Sequence, residues 1–134
     1  MRKNISSGSP WEEVVGYSRA VRVGNIIEVA GTTAMDGDTI IGVGDMYEQA
    51  VFIFKKIRVA LQQAGATISD VVRTRIYITD MGRWQEAAKA HGEFFKNIKP
   101  VATMVEVSRL INDDLLIEIE ATAIVDINQS VYFT

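Results

Sequence analysis

The chain has 134 residues, 48% of them hydrophobic, a formal net charge of −3 and a pI near 5.1. This predicts one compact domain over residues 1–134, and it argues against a nucleic-acid surface, which is ordinarily basic. With no cysteine and one histidine, it excludes disulfides, thiolate catalysis and Cys-based or multi-His metal centres.

The N-terminus lacks an apolar signal core, and no segment approaches the ~18 apolar residues that span a bilayer, so a cytoplasmic protein without a membrane partner is expected. Arg2–Gly16 opens as a polar Ser/Gly loop. Within it, Ser9-Pro10-Trp11-Glu12 matches a capping box with Pro at the first helical position and predicts a helical turn over Pro10–Val14. Tyr17–Val23 and Ile26–Ala30 flank Gly24-Asn25, a two-residue turn that predicts a β-hairpin. Residues 31–44 carry four glycines and two aspartates and read as loop, with a short strand at Thr39–Ile41. They contain no phosphate-cradling glycine motif.

Asp45 starts a helix in which Ala50, Ile53, Phe54, Ile57, Leu61 and Ala64 recur at helical spacing and Gly65 supplies the stop. Val71–Thr79 is a strand with Val72, Thr74, Ile76 and Ile78 on one face and Arg73, Arg75 and Tyr77 on the other. A second helix over Arg83–Asn97 aligns Trp84, Ala87, Ala88, His91 and Phe95, with Trp84 expected to anchor it to the sheet. After Pro100, Ala102–Val107 is expected as a strand lying beside Leu115–Asp126. In the latter, Ile117, Ile119, Ala121, Ala123 and Val125 share one face, and Glu118, Glu120 and Thr122 the other. Residues 128–134 show no pattern.

The order β-β-(β)-α-β-α-β-β predicts an α+β fold, a mixed sheet with two helices on one face. The other face, bearing Arg73, Arg75, Tyr77, Glu118 and Glu120, is left without cover, which predicts a closed homo-oligomer.

The residues that carry a family resemblance are the Tyr17-Ser-Arg-Ala-Val-Arg-Val-Gly-Asn25 hairpin, Val29-Ala-Gly31, Ala64-Gly-Ala66, Asp70–Asp80, Phe94-Phe95, Pro100 and Ile117-Glu-Ile-Glu-Ala121. In order and spacing they resemble the RidA/YjgF family. The resemblance implies a chorismate-mutase-like fold, a homotrimer whose sheets form an inner barrel, and a ligand cleft at each subunit interface. It also implies hydrolytic deamination of small enamines or imines without metal or organic cofactor. Tyr17 matches the cleft tyrosine, and Glu118 the glutamate that handles the water or proton. Ala102 stands where deaminating members carry an arginine that grips the substrate carboxylate, Met104 where they carry a cysteine, and Ala30 where they carry a serine before the glycine matching Gly31. The chain thus resembles an arginine-lacking branch.

A guanidinium holds a carboxylate through two charge-assisted hydrogen bonds. Its loss weakens a 2-imino acid by about ten- to a hundredfold. Either another arginine substitutes (Arg19, Arg22, Arg73, Arg75 or Arg109) or the ligand has no carboxylate. The candidate substrate-binding set is Tyr17, Ala30, Gly31, Ala102, Thr103 through its backbone N–H, and Met104.

Each residue also has a plainer reading. Glu118 is a general acid/base or the cross-strand ion-pair partner of Arg73 or Arg75; Glu120 reads as an ion-pair or subunit contact. Gly31 presents backbone to a ligand or serves only conformational freedom. His91 is packed and hydrogen-bonded in the core or lines the cleft wall. Two functions follow: an enamine/imine deaminase, or a non-catalytic trimer that binds a metabolite. Ribonuclease activity fits an acidic chain poorly.

Overall fold

A computed structural model describes residues 1–126, and the patternless stretch 128–134 lies outside the described residues. The chain runs β1 (Arg2–Ile5), α1 (Pro10–Val15), β2 (Ala20–Val23), β3 (Ile26–Thr32), β4 (Met35–Asp36), β5 (Thr39–Ile40), α2 (Met46–Gln63), β6 (Val71–Ile78), α3 (Trp84–Phe95), β7 (Val101–Glu106) and β8 (Ile117–Ile124). Six strands form one mixed sheet in the order β1-β2-β3-β8-β6-β7, and β4 and β5 form a separate two-stranded ladder. Every pairing in the large sheet is antiparallel except β6 with β7. This is the expected α+β fold with α2 and α3 on one sheet face.

The β2–β3 hairpin turns through Gly24, whose φ is +61°, a left-handed value at the first central position that suits a two-residue turn. Helix α2 begins where the Asp45 side chain accepts the Glu48 N–H at 2.9 Å. It ends at Gly65, where φ is +86° and the Ala66 N–H donates to the Leu61 carbonyl at 2.8 Å. Its stripe of Ala50, Ile53, Phe54, Ile57 and Leu61 is buried against Ile27 and Val29 of β3, Ile76 and Ile78 of β6, and Ile117 and Ile119 of β8. Helix α3 adds Ala87, Ala90 and Phe95, so this one face holds the core.

Several expectations are corrected. Arg2–Ile5 is a strand, not loop: it pairs with β2 at the sheet edge, where charged side chains are tolerated because one side faces water. The C-terminal strands are not neighbours, because β6 lies between them. The α3 crossover returns β7 parallel to β6, whereas β8 enters antiparallel between β3 and β6. On β6 it is Val71, at 3% exposure, that enters the core and Val72, at 40%, that does not. A register shift between Val71 and Arg73 leaves Val72 as the extra residue of a bulge. Trp84 is 47% exposed and so does not anchor α3 in the core; a 3-10 turn, Met81–Arg83, precedes it. The capping box at Ser9 is half present. Ser9 Oγ accepts the Trp11 N–H at 3.3 Å, but Glu12 reaches past Ser9 to Ser7.

Candidate functional site at the bulge of β3

Pairing of β3 with β8 runs Val29 opposite Ala121 and then Thr32 opposite Ile119, so Ala30 and Gly31 together face Glu120. That is a β-bulge, an extra residue that re-aims the strand. Thr32 Oγ1 donates to the Ala30 carbonyl at 2.8 Å and closes it. The bulge lays Gly31 against the side chain of Glu118, two residues from Glu120 on the open sheet face. A Cβ at position 31 would lie 3.1 Å from Glu118 Cδ and overlap Oε2. Gly31 has no left-handed φ to accommodate; its lack of a side chain is what lets the carboxylate settle there.

Glu118 is half-buried and, among the described residues, makes no hydrogen bond or ion pair. Burial pushes its carboxyl above the usual carboxylate range; Arg19 pulls the other way, and Glu120 adds to the rise. The ion pair expected at Glu120 forms, and the alternative pairing of Glu118 with Arg73 or Arg75 does not. Tyr77 Oη donates to Glu120 at 2.9 Å and Arg75 Nε lies 3.8 Å from it. Register explains the choice: Arg75 is opposite Glu120, while Glu118 is opposite Tyr77.

Arg19, between α1 and β2, reaches the same spot. Its Nη2 donates to the Gly31 carbonyl at 2.6 Å, and its guanidinium lies 5.8 Å from the Tyr17 ring centroid. Its Nε is buried without a hydrogen-bond partner. Burial lowers the Arg19 pKa, and Tyr17, Glu12 and Glu118 raise it. Behind it Glu12, only 8% exposed, accepts from Ser7 N at 3.1 Å and Ser7 Oγ at 2.5 Å. Burial pushes the Glu12 carboxyl up, but the Ser7 hydrogen bonds outweigh it, with Ser6 and Arg19 assisting, and hold it below its ordinary value. Lys56 from α2 donates to the carbonyls of Thr33 at 2.9 Å and Met35 at 2.8 Å, fixing the chain just after the bulge.

Tyr17 and Ala30 line a groove of about 510 Å³ on the open face, together with Glu28, Arg75 and Glu120. Ala102, Thr103 and Met104 line a different groove, of about 240 Å³, with Ile76, Ala88 and His91. That second groove lies between β7 and α3. Thr74 and Ile76, buried toward the helices, stand opposite Ala102 and Met104, which places those two side chains on the helix side of the edge strand. Val107 N donates to the Ile78 carbonyl. By strand alternation Thr103 turns its N–H toward β6 as well, and Ala102 and Met104 turn theirs outward. His91 Nε2 is 2.9 Å from Thr74 Oγ1, its ring packs on Phe95 at 4.7 Å, and burial lowers its pKa. It is both packed in the core and part of the groove wall.

One chain therefore brings Tyr17, Ala30, Gly31 and Glu118 to one region and Ala102, Thr103 and Met104 to another. The strand order puts β6 between β8 and β7, a separation of roughly 10 Å, and the Ala102 and Met104 side chains leave the sheet on the opposite face from Glu118. Sequence reasoning did not single out Glu12 and Lys56, and it named Arg19 only among five arginines. Glu12 had a signal in the capping-box motif, but Lys56 had none, because its place depends on how α2 meets the 33–35 turn.

The family model for endoribonuclease L-PSP matches residues 9–125. The chain belongs to the RidA/YjgF family. It is 38% identical over 121 residues to an uncharacterised protein of Streptomyces coelicolor, covering 90% of each chain. To a RutC family protein of Pyrococcus abyssi it is 41% identical over 108 residues, covering 80% of this chain and 84% of the other. The solved structure of Rv2704 from Mycobacterium tuberculosis, a member of the YjgF/YER057c/UK114 family, is similar with a TM-score of 0.84 and 51% identity, covering 93% of this chain and 100% of that one. In this RidA/YjgF protein Arg19 holds the Gly31 carbonyl and the Glu118 side chain lies against the same glycine. Among the described residues no helix is long and apolar enough to cross a membrane.

Proposed function

We propose that this chain is a cytoplasmic RidA-like hydrolase that deaminates small enamines or imines, working as a homotrimer with a cleft at each subunit interface. The observation that carries the reading is the Glu118 carboxylate, half-buried, unpaired among the described residues, held above its usual pKa and seated on a glycine. A carboxylate whose pKa is raised by burial suits general acid/base work. Glu118 takes a proton from water as the water oxygen bonds to the C=N carbon, and returns it to the nitrogen, which has received the C=N electron pair. In the collapse of the carbinolamine Glu118 takes the hydroxyl proton and delivers it to the nitrogen as the C–N bond breaks, releasing ammonia and leaving a carbonyl. An enamine first takes a proton at carbon to become the imine. The separation of the Glu118 region from the Ala102–Met104 edge supports the trimer, since a second copy is the economical way to bring such edges into one cleft.

The groove beside Ala102 holds no cation among its lining residues, which favours an imine without a carboxylate. Endonuclease chemistry, named in the family description, is opposed by the net charge of −3. The test generates imines of amino acids and of simple amines and follows ammonia release. Wild type accelerates release and Glu118→Ala lowers the rate by about 10²–10⁴-fold. No acceleration by wild type, or undiminished release by Glu118→Ala, would sink the reading. Ala102→Arg is expected to raise kcat/KM for 2-imino acids by about ten- to a hundredfold relative to carboxylate-free imines; an unchanged ratio rejects the groove as the carboxylate end of the cleft. The same uncharged groove also favours a second reading, a metabolite-binding trimer without turnover. Thermal-shift screening that finds a ligand, recovered unchanged, distinguishes it.

A further inference from the structure

We propose that Arg19 is the positioning residue of the Glu118 site, bracing the Ala30–Gly31 bulge through the Gly31 carbonyl and keeping its buried Nε–H for the ionised Glu118 carboxylate. The proposal deepens the assignment of Glu118 as the acid/base and rests on it.

A buried donor without an acceptor is uncommon and calls for a cause. Among the described residues, Arg19 Nε is the one buried side-chain polar atom without a partner. Elsewhere on the guanidinium, Nη2 donates to the Gly31 carbonyl at 2.6 Å and Cζ lies 5.8 Å from the Tyr17 ring centroid. Three groups draw on its charge, namely Tyr17, Glu12 and Glu118. Glu12 already takes both donors of Ser7. Glu120, next on the open face, is engaged by Tyr77 and Arg75. Lys56, the other cation near Arg19, spends two donors on the Thr33 and Met35 carbonyls and repels the guanidinium. Of these acidic groups, Glu118 is the one that makes no hydrogen bond or ion pair among the described residues, and it lies against the glycine whose carbonyl Arg19 holds.

Gly31 links the two residues. Arg19 grips its carbonyl, and Glu118 rests where its side chain would be. When Glu118 ionises, its carboxylate takes the Nε–H; when it is protonated, Nε has no acceptor. Arg19 thereby opposes the burial and the Glu120 charge that hold a proton on Glu118, and it keeps a single chain wall in register with the reacting group.

The test is a pH titration by nuclear magnetic resonance of full-length protein, with labelled glutamate carboxyl carbons and labelled arginine nitrogens. In wild type the Arg19 Nε–H resonance shifts with the same midpoint as the Glu118 carboxyl, and the shift vanishes in Glu118→Gln. An Nε–H that stays flat as Glu118 ionises overturns the proposal, and this arm needs no Arg19 variant to fold. Arg19→Gln raises the Glu118 midpoint by about one unit or more, as loss of a nearby opposite charge should, and Arg19→Lys restores most of it; an unmoved midpoint in folded Arg19→Gln also overturns it. These readings require no substrate. A protein with no deaminase activity therefore counts against the proposed function, while the titrations still decide Arg19.

Discussion

Gly31→Ala is expected to cost as much activity as removing Glu118, about 10²–10⁴-fold in ammonia release, with almost no change in Tm. The two effects separate because of what the new methyl group meets. It lands on the Glu118 carboxylate, with Cδ 3.1 Å away, and on no backbone atom. The far end of a flexible side chain swings aside cheaply. Gly31 also lacks a left-handed φ, so alanine adds no backbone strain. What is lost is placement: the carboxylate moves off the bulge toward water, and its raised pKa relaxes toward the ordinary carboxylate range. Activity, Tm and the Glu118 titration are measured on the same sample. A variant that keeps wild-type turnover would show that the seat on Gly31 is unimportant, and a large fall in Tm would show that the bulge is structural instead.

The extent to which this site was legible follows from the range of the interactions involved. Alternation along Leu115–Asp126 put Glu118 and Glu120 on one face, and strand period alone is enough for that. Which of the two is tied up depends on register with β6, where Arg75 faces Glu120 and Tyr77 faces Glu118. No local pattern encodes that register. The bulge at Ala30–Gly31 arises from a mismatch with β8, and the bulge at Val72 from a mismatch with the same strand on its other side. Both are invisible to counting within a single segment, which is why alternation groups Val72 with Thr74, Ile76 and Ile78 although Val71 is the valine buried with them. Helix α2 was fully readable because its stripe, N-cap and glycine stop are all local. The order β8-β6-β7 was not, since the chain gives no sign that Leu115–Asp126 will insert beside Val71–Thr79 and separate it from β3. Arg19 could be listed but not chosen: five arginines had the right chemistry, and only the fold brings one to the Gly31 carbonyl.

Gln49→Leu is expected to cause the largest stability loss of any single polar substitution in the core, roughly 3 kcal/mol or more, read as a fall in Tm of roughly 10 °C. Gln49 is fully buried on the first turns of α2. Its Nε2 donates to the carbonyls of Gly42 at 3.1 Å and Asp114 at 2.8 Å, and its Oε1 accepts the Leu116 N–H at 2.9 Å. One amide thus satisfies three backbone groups from two loops that have no ladder of their own there. Leucine has nearly the same volume, so the cavity term is small and the cost is the orphaned Asp114 carbonyl and Leu116 N–H, since the Gly42 carbonyl keeps the Asp45 N–H at 2.8 Å. The Asp114–Leu116 segment leads directly into β8, and Leu116 also accepts the Thr79 N–H at 3.1 Å. Loosening it frees the start of the strand that carries Glu118 two residues later. Hydrogen exchange at the Leu116 amide should therefore accelerate well before global unfolding, and turnover should fall in step with it. A Tm within about 2 °C of wild type, with Leu116 still protected, would mean that water replaces the amide at no cost and that the loop holds β8 by other means.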